Sequence, residues 1–441
     1  MAKLQQSFAA LPDHAPIRLA KRTSNLFRAR AEQGEGLDVS GLGGVIEIRG
    51  DVAQVQGMCT YEHLVAATLA QGRIPYVVPQ LRTITLGGAV TGLGIESTSF
   101  RHGLPHESVR EMDVFTGAGC LETVRPGDAL FDAFPNSYGS LGYATRLEID
   151  LEPVPSYVAL EHVRFPDAHA LCRAVDEIVT SGHWRGQRVD GLDGVAFSPD
   201  ELYLSVARWT DAPGPTSDYT GQRIYYRSLQ TQRYDRLSIH DYLWRWDTDW
   251  FWCSRAFGAQ QPLVRRLWPR HLRRSDVYWK LVALDRRHQV GARLDRLRGR
   301  PESERVVQDV EVALERLPEF LTWFDAEIGM RPVWLCPLRL RRADQDQPWP
   351  GYPLRSGTTY VNVGFWGGVP VGAQAKDSPR NRAIEAQVAA LGGHKSLYSE
   401  AFYDPDTFAQ LYGTDNLASV RRAYDPEGRL NDLYDKVVRA R

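Results

Sequence analysis

A glycine-rich segment, Thr83–Ser99 (TITLGGAVTGLGIESTS), constrains the fold of this chain more than any other stretch. Four residues between positions 87 and 94 are glycine, and a Glu-Ser-Thr-Ser run follows them. Glycine allows positive φ and lets backbone N–H groups approach an anion closely, while hydroxyl groups add donors. We therefore predict a short apolar strand that runs into a loop binding the phosphates of a dinucleotide. The alternative is an ordinary tight turn, because the G-x-G-x-x-G order is not matched.

The region around this segment is predicted to mix short strands and helices, as in an α/β or α+β domain. The predicted strands are Gly44–Arg49, Arg73–Val78 and Arg146–Leu151. Between the first two, Tyr61–Gln71 places apolar residues at helical spacing, and Gly72 supplies a stop signal. A strand, helix, strand unit follows from this order.

The composition changes near residue 155, where glycine becomes rarer and tryptophan, tyrosine and arginine become more frequent. A chain of 441 residues is also long for one core, so we predict two domains, 1–155 and 156–441. In the second, the apolar pattern of Pro301–Ile328 predicts helix, with Pro318 as the point that divides it into two. The β-rich segments predicted to form neighbouring strands are Val333–Leu340 and Thr358–Phe365.

Charge and cysteine content exclude several classes of function. The 53 Lys and Arg residues balance 54 Asp and Glu residues, which argues against a nucleic-acid partner. The five cysteines show no C-x-x-C spacing, which argues against a zinc site or a disulfide framework and favours a reducing, cytoplasmic compartment. We expect no metal, no signal peptide and no membrane-spanning segment, although contact with a membrane surface stays open.

Two features of the second domain concern the substrate. Six of the 12 tryptophans lie within 36 residues, between Trp244 and Trp279, which suits either a long apolar cavity or an ordinary aromatic core. The basic stretch 265–274 carries five arginines and a histidine around Leu267 and Trp268. It predicts either a peripheral contact with anionic lipid or a solvated helix face with ion pairs.

The order of motifs resembles the PCMH-type, vanillyl-alcohol-oxidase-like family of FAD-binding proteins. GGAVTGLGIES is followed by His102-Gly103, by VFTGAGCLETV at 114–124 and by YGSLGYAT at 138–145. The resemblance implies an α+β fold: a PCMH-type two-lobed FAD-binding domain, then an α+β substrate domain with a sheet, covering helices and a C-terminal segment that returns to the flavin. It also implies non-covalent FAD, because the histidine that some members join to the flavin is missing.

Two stretches narrow the resemblance to the sterol Δ24-reductase branch. These are GLGIESTS at 92–99 and VWLCP at 333–337. A bacterial branch of that family reduces 10-methylene fatty acyl chains to 10-methyl products, and IRLAKRTSNLFR at 17–28 is similar to it. The resemblance thus implies reduction of an isolated lipid double bond. The alternatives are a sterol Δ24-reductase, an FAD-dependent alcohol oxidase or dehydrogenase, and a non-catalytic lipid-binding protein.

Residues that match the family's FAD-contacting motifs are expected to enclose the cofactor. They are Thr23, Ser24, Asn25, Gly87, Gly88, Gly92, Gly94, Ile95, Glu96, Ser97, Gly139, Ser140, Leu141, Gly142 and Asn431. NADPH or NADH is expected as a transient electron donor, since no separate Rossmann motif occurs.

Saturation of an unactivated alkene requires a proton at one carbon as hydride from reduced flavin reaches the other, so a general acid beside the flavin is needed. The candidate catalytic residues are Glu96, His394, Lys395 and Tyr398, with His240 and Asp241 as further candidates.

Overall fold

The computed structural model describes residues 1–21, 27–28, 36–288, 301–342, 349–372 and 377–439. The predicted cofactor residues Thr23, Ser24 and Asn25 lie outside these ranges.

The first sheet has six strands, all paired antiparallel, in the order β1-β2-β6-β4-β5, with β3 pairing the far end of β6. Its strands are β1 (Val45–Arg49), β2 (Val52–Gln56), β3 (Arg73–Pro75), β4 (Val109–Phe115), β5 (Leu121–Val124) and β6 (Tyr143–Pro153). In β6, Leu147, Ile149 and Leu151 are buried at alternate positions, as one face of a half-buried strand requires. All three predicted strands of this region are confirmed in part or whole.

The second sheet begins at Tyr157 and has eight described strands, again antiparallel, in the order β12-β7-β11-β10-β14-β15-β13-β16. The strands after β6 are β7 (Tyr157–Phe165), β8 (His183–Trp184), β9 (Gln187–Arg188), β10 (Gly191–Ser198), β11 (Glu201–Thr210), β12 (Tyr234–Ser238), β13 (Ser303–Ala313), β14 (Val333–Leu338), β15 (Tyr360–Pro370) and β16 (His394–Lys395). β8 and β9 form a separate ribbon. The predicted pairing of the β14 and β15 segments is confirmed.

The helical prediction for Pro301–Ile328 is wrong in its first half. Residues 303–313 form strand β13, and only Leu317–Glu327 is an α-helix, so Pro318 lies in the first turn of one helix. The physical reason is the period of the apolar residues. Val306, Val310 and Val312 are buried with the intervening Gln308, which is an alternation of two, and β-branched valines favour a pleated strand.

The helices pack on these sheets and fill the connections. They are α1 (Ala2–Ala9), α2 (Tyr61–Leu69), α3 (Leu86–Gly92), α4 (Ser99–His102), α5 (Ala129–Ala133), α6 (Ala168–Ser181), α7 (Tyr225–Thr231), α8 (Ile239–Leu243), α9 (Pro262–Leu267), α10 (Ser275–His288), α11 (Leu317–Glu327), α12 (Pro379–Ala390), α13 (Pro405–Tyr412), α14 (Thr414–Tyr424) and α15 (Leu433–Val437). α6, α11 and α12 cover the second sheet in one apolar cluster. The predicted α+β fold is confirmed. No helix in the described ranges is long and apolar enough to cross a bilayer.

The predicted strand before the glycine segment is wrong. Thr85 makes only an isolated bridge to Thr60, and the next residues form helix α3. The backbone N–H of Leu86 donates to the carbonyl of Cys59 and that of Gly87 to Gly57, each at 2.9 Å. Because a neighbouring loop takes up these donors, no strand ladder can form here.

Candidate functional site

A cavity of about 1280 Å³ brings together segments that are far apart in the sequence. Its walls come from the glycine segment, strands β13, β14 and β15, the aromatic loop at 250–257 and the C-terminal region. Pockets that bind one small molecule usually measure about 300–1,000 Å³. The cavity therefore has room for a cofactor and part of a second ligand.

One wall consists of the glycine segment. The predicted cofactor residues of this segment that line the cavity are Gly87, Gly88, Gly92, Gly94 and Ile95. A Cβ at Gly94 would lie 2.7 Å from Pro79 Cγ, and one at Gly87 would lie 2.8 Å from the carbonyl oxygen of Gly57. Both distances are shorter than real Cβ contacts, so glycine is required for packing behind the wall as well as for access from the cavity.

The segment 138–145 and the C-terminal region form the adjoining wall, where Gly139, Gly142 and Asn431 line the cavity. Lys436 Nζ also lines it and donates to the carbonyl of Gly139 at 2.6 Å. Gly142 has φ +127°, which favours glycine. The predicted residues Ser140 and Leu141 are buried and are not part of the lining.

Basic side chains line this end of the cavity. Its cationic lining residues are Arg18, Lys21, Arg28 and Lys436. Lys21 Nζ donates to Thr85 Oγ1 at 2.9 Å, which places a cation beside the start of α3. Gln80 lines the same cavity, and its buried Nε2 has no hydrogen-bond partner among the described residues, as expected of a donor reserved for a ligand. Cations, close glycine backbone and an unused donor fit a dinucleotide such as FAD.

Lys436→Met is expected to weaken FAD binding by about tenfold or more, because a hydrogen bond involving a charged group contributes about 1.5–3 kcal/mol. FAD titration followed by flavin fluorescence measures the effect. Lys280→Met is the matched control, since Lys280 is an exposed lysine on α10. An unchanged FAD affinity in Lys436→Met would contradict the assignment of this end of the cavity to the phosphates.

A polar cluster lies in the wall formed by the second sheet. The Tyr398 phenol lies close enough to the Asp309 carboxyl to affect its pKa, and its oxygen accepts from Trp366 Nε1 at 2.8 Å. Asn362 Nδ2 donates to Asp309 Oδ1 at 3.1 Å. All four residues line the cavity, so the cluster can reach a bound ligand.

Burial sets the protonation states of this cluster. It raises the pKa of Asp309 to about 6, against the opposing effect of the neighbouring Tyr398 phenol and Asn362 amide. Burial also raises the pKa of Tyr398 well above its ordinary value, so the phenol keeps its proton. Asp309 is therefore the stronger acid of the two and exchanges its proton closer to neutral pH.

Glu96 and Ser97 do not line the cavity. Arg245 Nη2 donates to Glu96 Oε1 at 2.9 Å and to Asp193 Oδ2 at 3.0 Å, and all three side chains are buried. Burial raises the pKa of Glu96. Asp193 also accepts from Nε1 of Trp334, a lining residue, at 3.2 Å. Glu96 thus lies behind the wall that it was expected to form, and Ser97 hydrogen-bonds to Tyr242.

The other predicted acids are also away from the cavity, except Tyr398. His394 packs its ring between Tyr352 and Tyr412, and burial lowers its pKa to about 3, so it is neutral. Lys395 Nζ donates to the carbonyl of Glu400 at 2.7 Å. The exposed pair of His240 and Asp241 contact each other at 3.2 Å, and neither lines the cavity.

The aromatic residues of the tryptophan-rich region serve both predicted roles. Some line the cavity, and others pack in the core. Those that line the cavity are Trp250, Phe251, Trp252 and Phe257. Trp244 and Trp246 are buried in the core instead. Trp250 and Phe251 have φ of +46° and +60°, a left-handed conformation that non-glycine residues rarely adopt. This strained turn places two consecutive rings in the cavity wall, and strain of this kind is concentrated at functional sites.

Sequence reasoning missed Asp309 and Asn362. Along β13, residues 303, 305, 307 and 309 line the cavity while 306, 308, 310 and 312 are buried on the other face. The alternation was present in the sequence as Glu304-Arg305-Val306-Val307-Gln308-Asp309-Val310, but the helical interpretation concealed it. If the segment is interpreted as a strand, in which side chains alternate between two faces, Asp309 lies on the same face as Arg305 and Val307.

Comparisons with known proteins indicate which cofactor and which reductases this chain is similar to. A sequence model of the FAD binding domain matches residues 6–125. The Delta(24)-sterol reductase of Homo sapiens is 24% identical over 414 residues, which cover 90% of this chain and 76% of that protein. The Arabidopsis thaliana Delta(24)-sterol reductase is 24% identical over 463 residues, covering 96% and 80%. Cytokinin dehydrogenase 10 of Oryza sativa subsp. japonica is 34% identical over 129 residues, covering 29% and 23%.

The family match overlaps the glycine segment, and the relatives extend the similarity through both sheets. The cavity unites residues from the matched domain with residues from the second sheet. Residues 6–125 therefore carry an FAD-binding domain of the PCMH type, and the chain is a relative of the FAD-dependent oxidoreductases.

Proposed function

We propose that this chain is an FAD-dependent reductase that saturates an isolated C=C bond of a lipid, with NADPH or NADH as the electron donor. The proposed substrate is a 10-methylene fatty acyl chain, which becomes the 10-methyl branched product. The observation that carries the proposal is the cavity, since one end fits a dinucleotide and the other is walled by aromatic rings around a titratable acid. Similarity to proteins named sterol reductases supports a C=C bond as the target.

The aromatic end fits an apolar chain. Phe251 lies 4.4 Å from Trp366 and 5.3 Å from Trp334, measured between ring centroids, and all three line the cavity. Such rings provide a large apolar surface and exclude water from the alkene. Water exclusion is needed because positive charge develops on carbon during the reaction.

Asp309 is the proposed proton donor. Protonation of an unactivated alkene demands the strongest acid available, and among the lining residues of this wall the Asp309 carboxyl is a stronger acid than the Tyr398 phenol. Asp309 gives its proton to the terminal CH₂ carbon, so that positive charge develops on the more substituted C10. Bound FAD, when reduced, supplies the hydride that C10 receives. One proton and one hydride together convert C=CH₂ to CH–CH₃.

Tyr398 and Asn362 position the acid. Asn362 Nδ2 donates to the Asp309 carboxyl, the Tyr398 phenol lies beside that carboxyl, and Trp366 Nε1 fixes the Tyr398 hydroxyl at 2.8 Å. These contacts hold the carboxyl at the cavity surface before and after it loses its proton. Reprotonation between turnovers then restores the acid.

The test is product analysis by mass spectrometry. FAD-loaded protein, NADPH and a phospholipid with a 10-methylene acyl chain are expected to yield the 10-methyl acyl chain, heavier by two hydrogen atoms. Parallel incubations with NADH and with a Δ24-unsaturated sterol compare donors and substrate classes. Turnover of the sterol alone would overturn the proposed substrate, and turnover of neither alkene would overturn the proposed reaction.

A further inference from the structure

An exposed aliphatic patch lies on helix α9 and the turn that follows it. Its members are Leu263, Val264, Leu267 and Leu272. Leu263 is 77% exposed and Leu267 is 84% exposed, and their spacing of four residues places them on one face of the helix. Single exposed leucines are common on protein surfaces, whereas contiguous ones mark a surface that contacts another apolar body.

The arginines around this patch have two different roles. Arg265 is buried and forms two hydrogen bonds to Asp249, of 2.6 and 3.0 Å, and Arg273 is buried against backbone carbonyls. Arg274 pairs with Glu62. These three therefore fold the segment and do not present their charge to a partner.

The charge that remains outside is positive. Arg266 is exposed, and within the described ranges its side chain has no hydrogen-bond or ion-pair partner. The imidazole of His271 is exposed near it. Arg270 is exposed and pairs with Asp218 at 3.0 Å at the surface. An aliphatic patch bordered by such cations is complementary to a bilayer with anionic headgroups, because the leucines can enter the acyl region while the cations meet phosphate.

Packed aromatic rings lie between the end of α9 and the cavity wall. Phe257 lines the cavity and stacks on Tyr278 at 6.0 Å between centroids, and Tyr278 contacts Trp268 at 5.8 Å. Trp268 directly follows the last residue of α9. Arg255 and Ala256, which precede Phe257, are exposed and also line the cavity. A path of packed rings thus connects the patch to the cavity wall.

We propose that Leu263, Val264, Leu267 and Leu272, with Arg266 and His271, dock this protein on an anionic lipid bilayer, so that the cavity mouth opens toward the membrane. The choice of a bilayer as the occupant rests on the proposed function, in which the substrate is an acyl chain of a membrane lipid. Docking on a bilayer needs no electron transfer, so membrane binding is measured separately from alkene reduction.

The experiment is co-sedimentation of the FAD-loaded full chain with vesicles. Vesicles of phosphatidylcholine mixed with phosphatidylglycerol are expected to retain the wild type, and Leu263→Glu/Leu267→Glu is expected to lower the vesicle partition coefficient by about tenfold or more. Arg266→Gln is expected to weaken binding to the mixed vesicles but not to phosphatidylcholine alone. Leu121→Glu is the matched control, since Leu121 is an exposed leucine in the first sheet.

FAD content and the thermal unfolding midpoint of the double variant show that it is folded. Vesicle binding by the double variant equal to wild type would overturn the proposal, as would a wild type that does not bind mixed vesicles. A dimer that the double variant converts to monomer in sedimentation velocity, without any vesicle binding, would show a second copy as the occupant and also overturn it. If only the proposed reaction is wrong, the protein still binds the vesicles but does not reduce the alkene.

Discussion

Asp309→Asn is expected to lower the rate of alkene reduction by about 10²–10⁴-fold while FAD stays bound, because positioned general acids contribute factors of that size. Asparagine keeps the shape of the side chain but cannot donate a proton to carbon. Stopped-flow absorbance measures the step, as reoxidation of NADPH-reduced enzyme by the 10-methylene lipid in the absence of oxygen. Reduction of the flavin by NADPH is expected to be unchanged.

The pH profile distinguishes an acid from a structural carboxyl. Asp309 acts in its protonated form, and its pKa lies at about 6. The reoxidation rate of the wild type is therefore expected to be constant below this pKa and to fall about tenfold per pH unit above it, whereas Asp309→Asn gives a low, flat profile. A wild-type rate that does not fall on the alkaline side would contradict the role of Asp309.

The same pKa predicts that Asp309→Asn makes the protein more stable in alkaline solution. Because the folded-state pKa is raised above the ordinary value of 3.8, the folded protein binds the proton more tightly, and this stabilisation is lost as pH rises through about 6. Near pH 8 the free energy of unfolding of the variant should exceed that of the wild type by up to about 3 kcal/mol. This follows because the pKa of Asp309 rises by about two on folding, and each whole pKa step corresponds to 1.36 kcal/mol. Glu311→Gln is the matched control for activity, since Glu311 is a buried carboxyl of β13 that does not line the cavity. Burial raises the pKa of Glu311 as well, so this variant is also expected to gain stability in alkaline solution. Alkene reduction should survive in it.

Arg245→Met is expected to reduce the free energy of unfolding by about 3–5 kcal/mol, because removal of one partner leaves buried charge without compensation. Arg245 is the cation shared by Glu96 and Asp193, and all three are nearly inaccessible to water. Urea unfolding of the FAD-saturated protein, followed by tryptophan fluorescence, measures the loss. Arg245→Met combined with Glu96→Gln and Asp193→Asn is expected to recover part of it, since neither carboxylate then needs a cation.

The same cluster tests whether Glu96 is structural. Glu96→Gln alone is expected to retain alkene reduction within a few-fold, because Glu96 does not line the cavity. If Glu96→Gln retained FAD and stability but lost alkene reduction, Glu96 would be the acid and Asp309 would not.

Local signals in the sequence predicted much of the fold. The alternation in β6, the helical spacing of α2 and the β-rich segments of β14 and β15 all correspond to elements of the structure. Each of these elements is defined by contacts that its own residues make on one face, so the pattern is visible without the partner. β13 was missed because valines at 306, 307, 310 and 312 satisfy a helical and an alternating period at once.

The candidate site depends on contacts between distant segments, and there the sequence was less informative. Family resemblance marked the glycines that line the cavity, because glycine is required where backbone packs closely. The family resemblance did not show that Glu96 lies outside the cavity. The chain turns at 95–99, and Glu96 there accepts a hydrogen bond from Arg245, which is 149 positions away in the sequence. The pairing of Asp309 with Tyr398 likewise joins β13 to a segment 89 residues later, and spacing carries no information about it.

The most direct test of an FAD-dependent alkene reductase is an anaerobic absorbance measurement on the purified protein. The visible flavin band is expected to be present, to bleach on addition of NADPH and to return when a 10-methylene acyl phospholipid is added without oxygen. A flavin band that returns only when oxygen is admitted would contradict the proposed reaction and favour an oxidase, and protein without any flavin band or affinity for FAD would contradict the central claim itself.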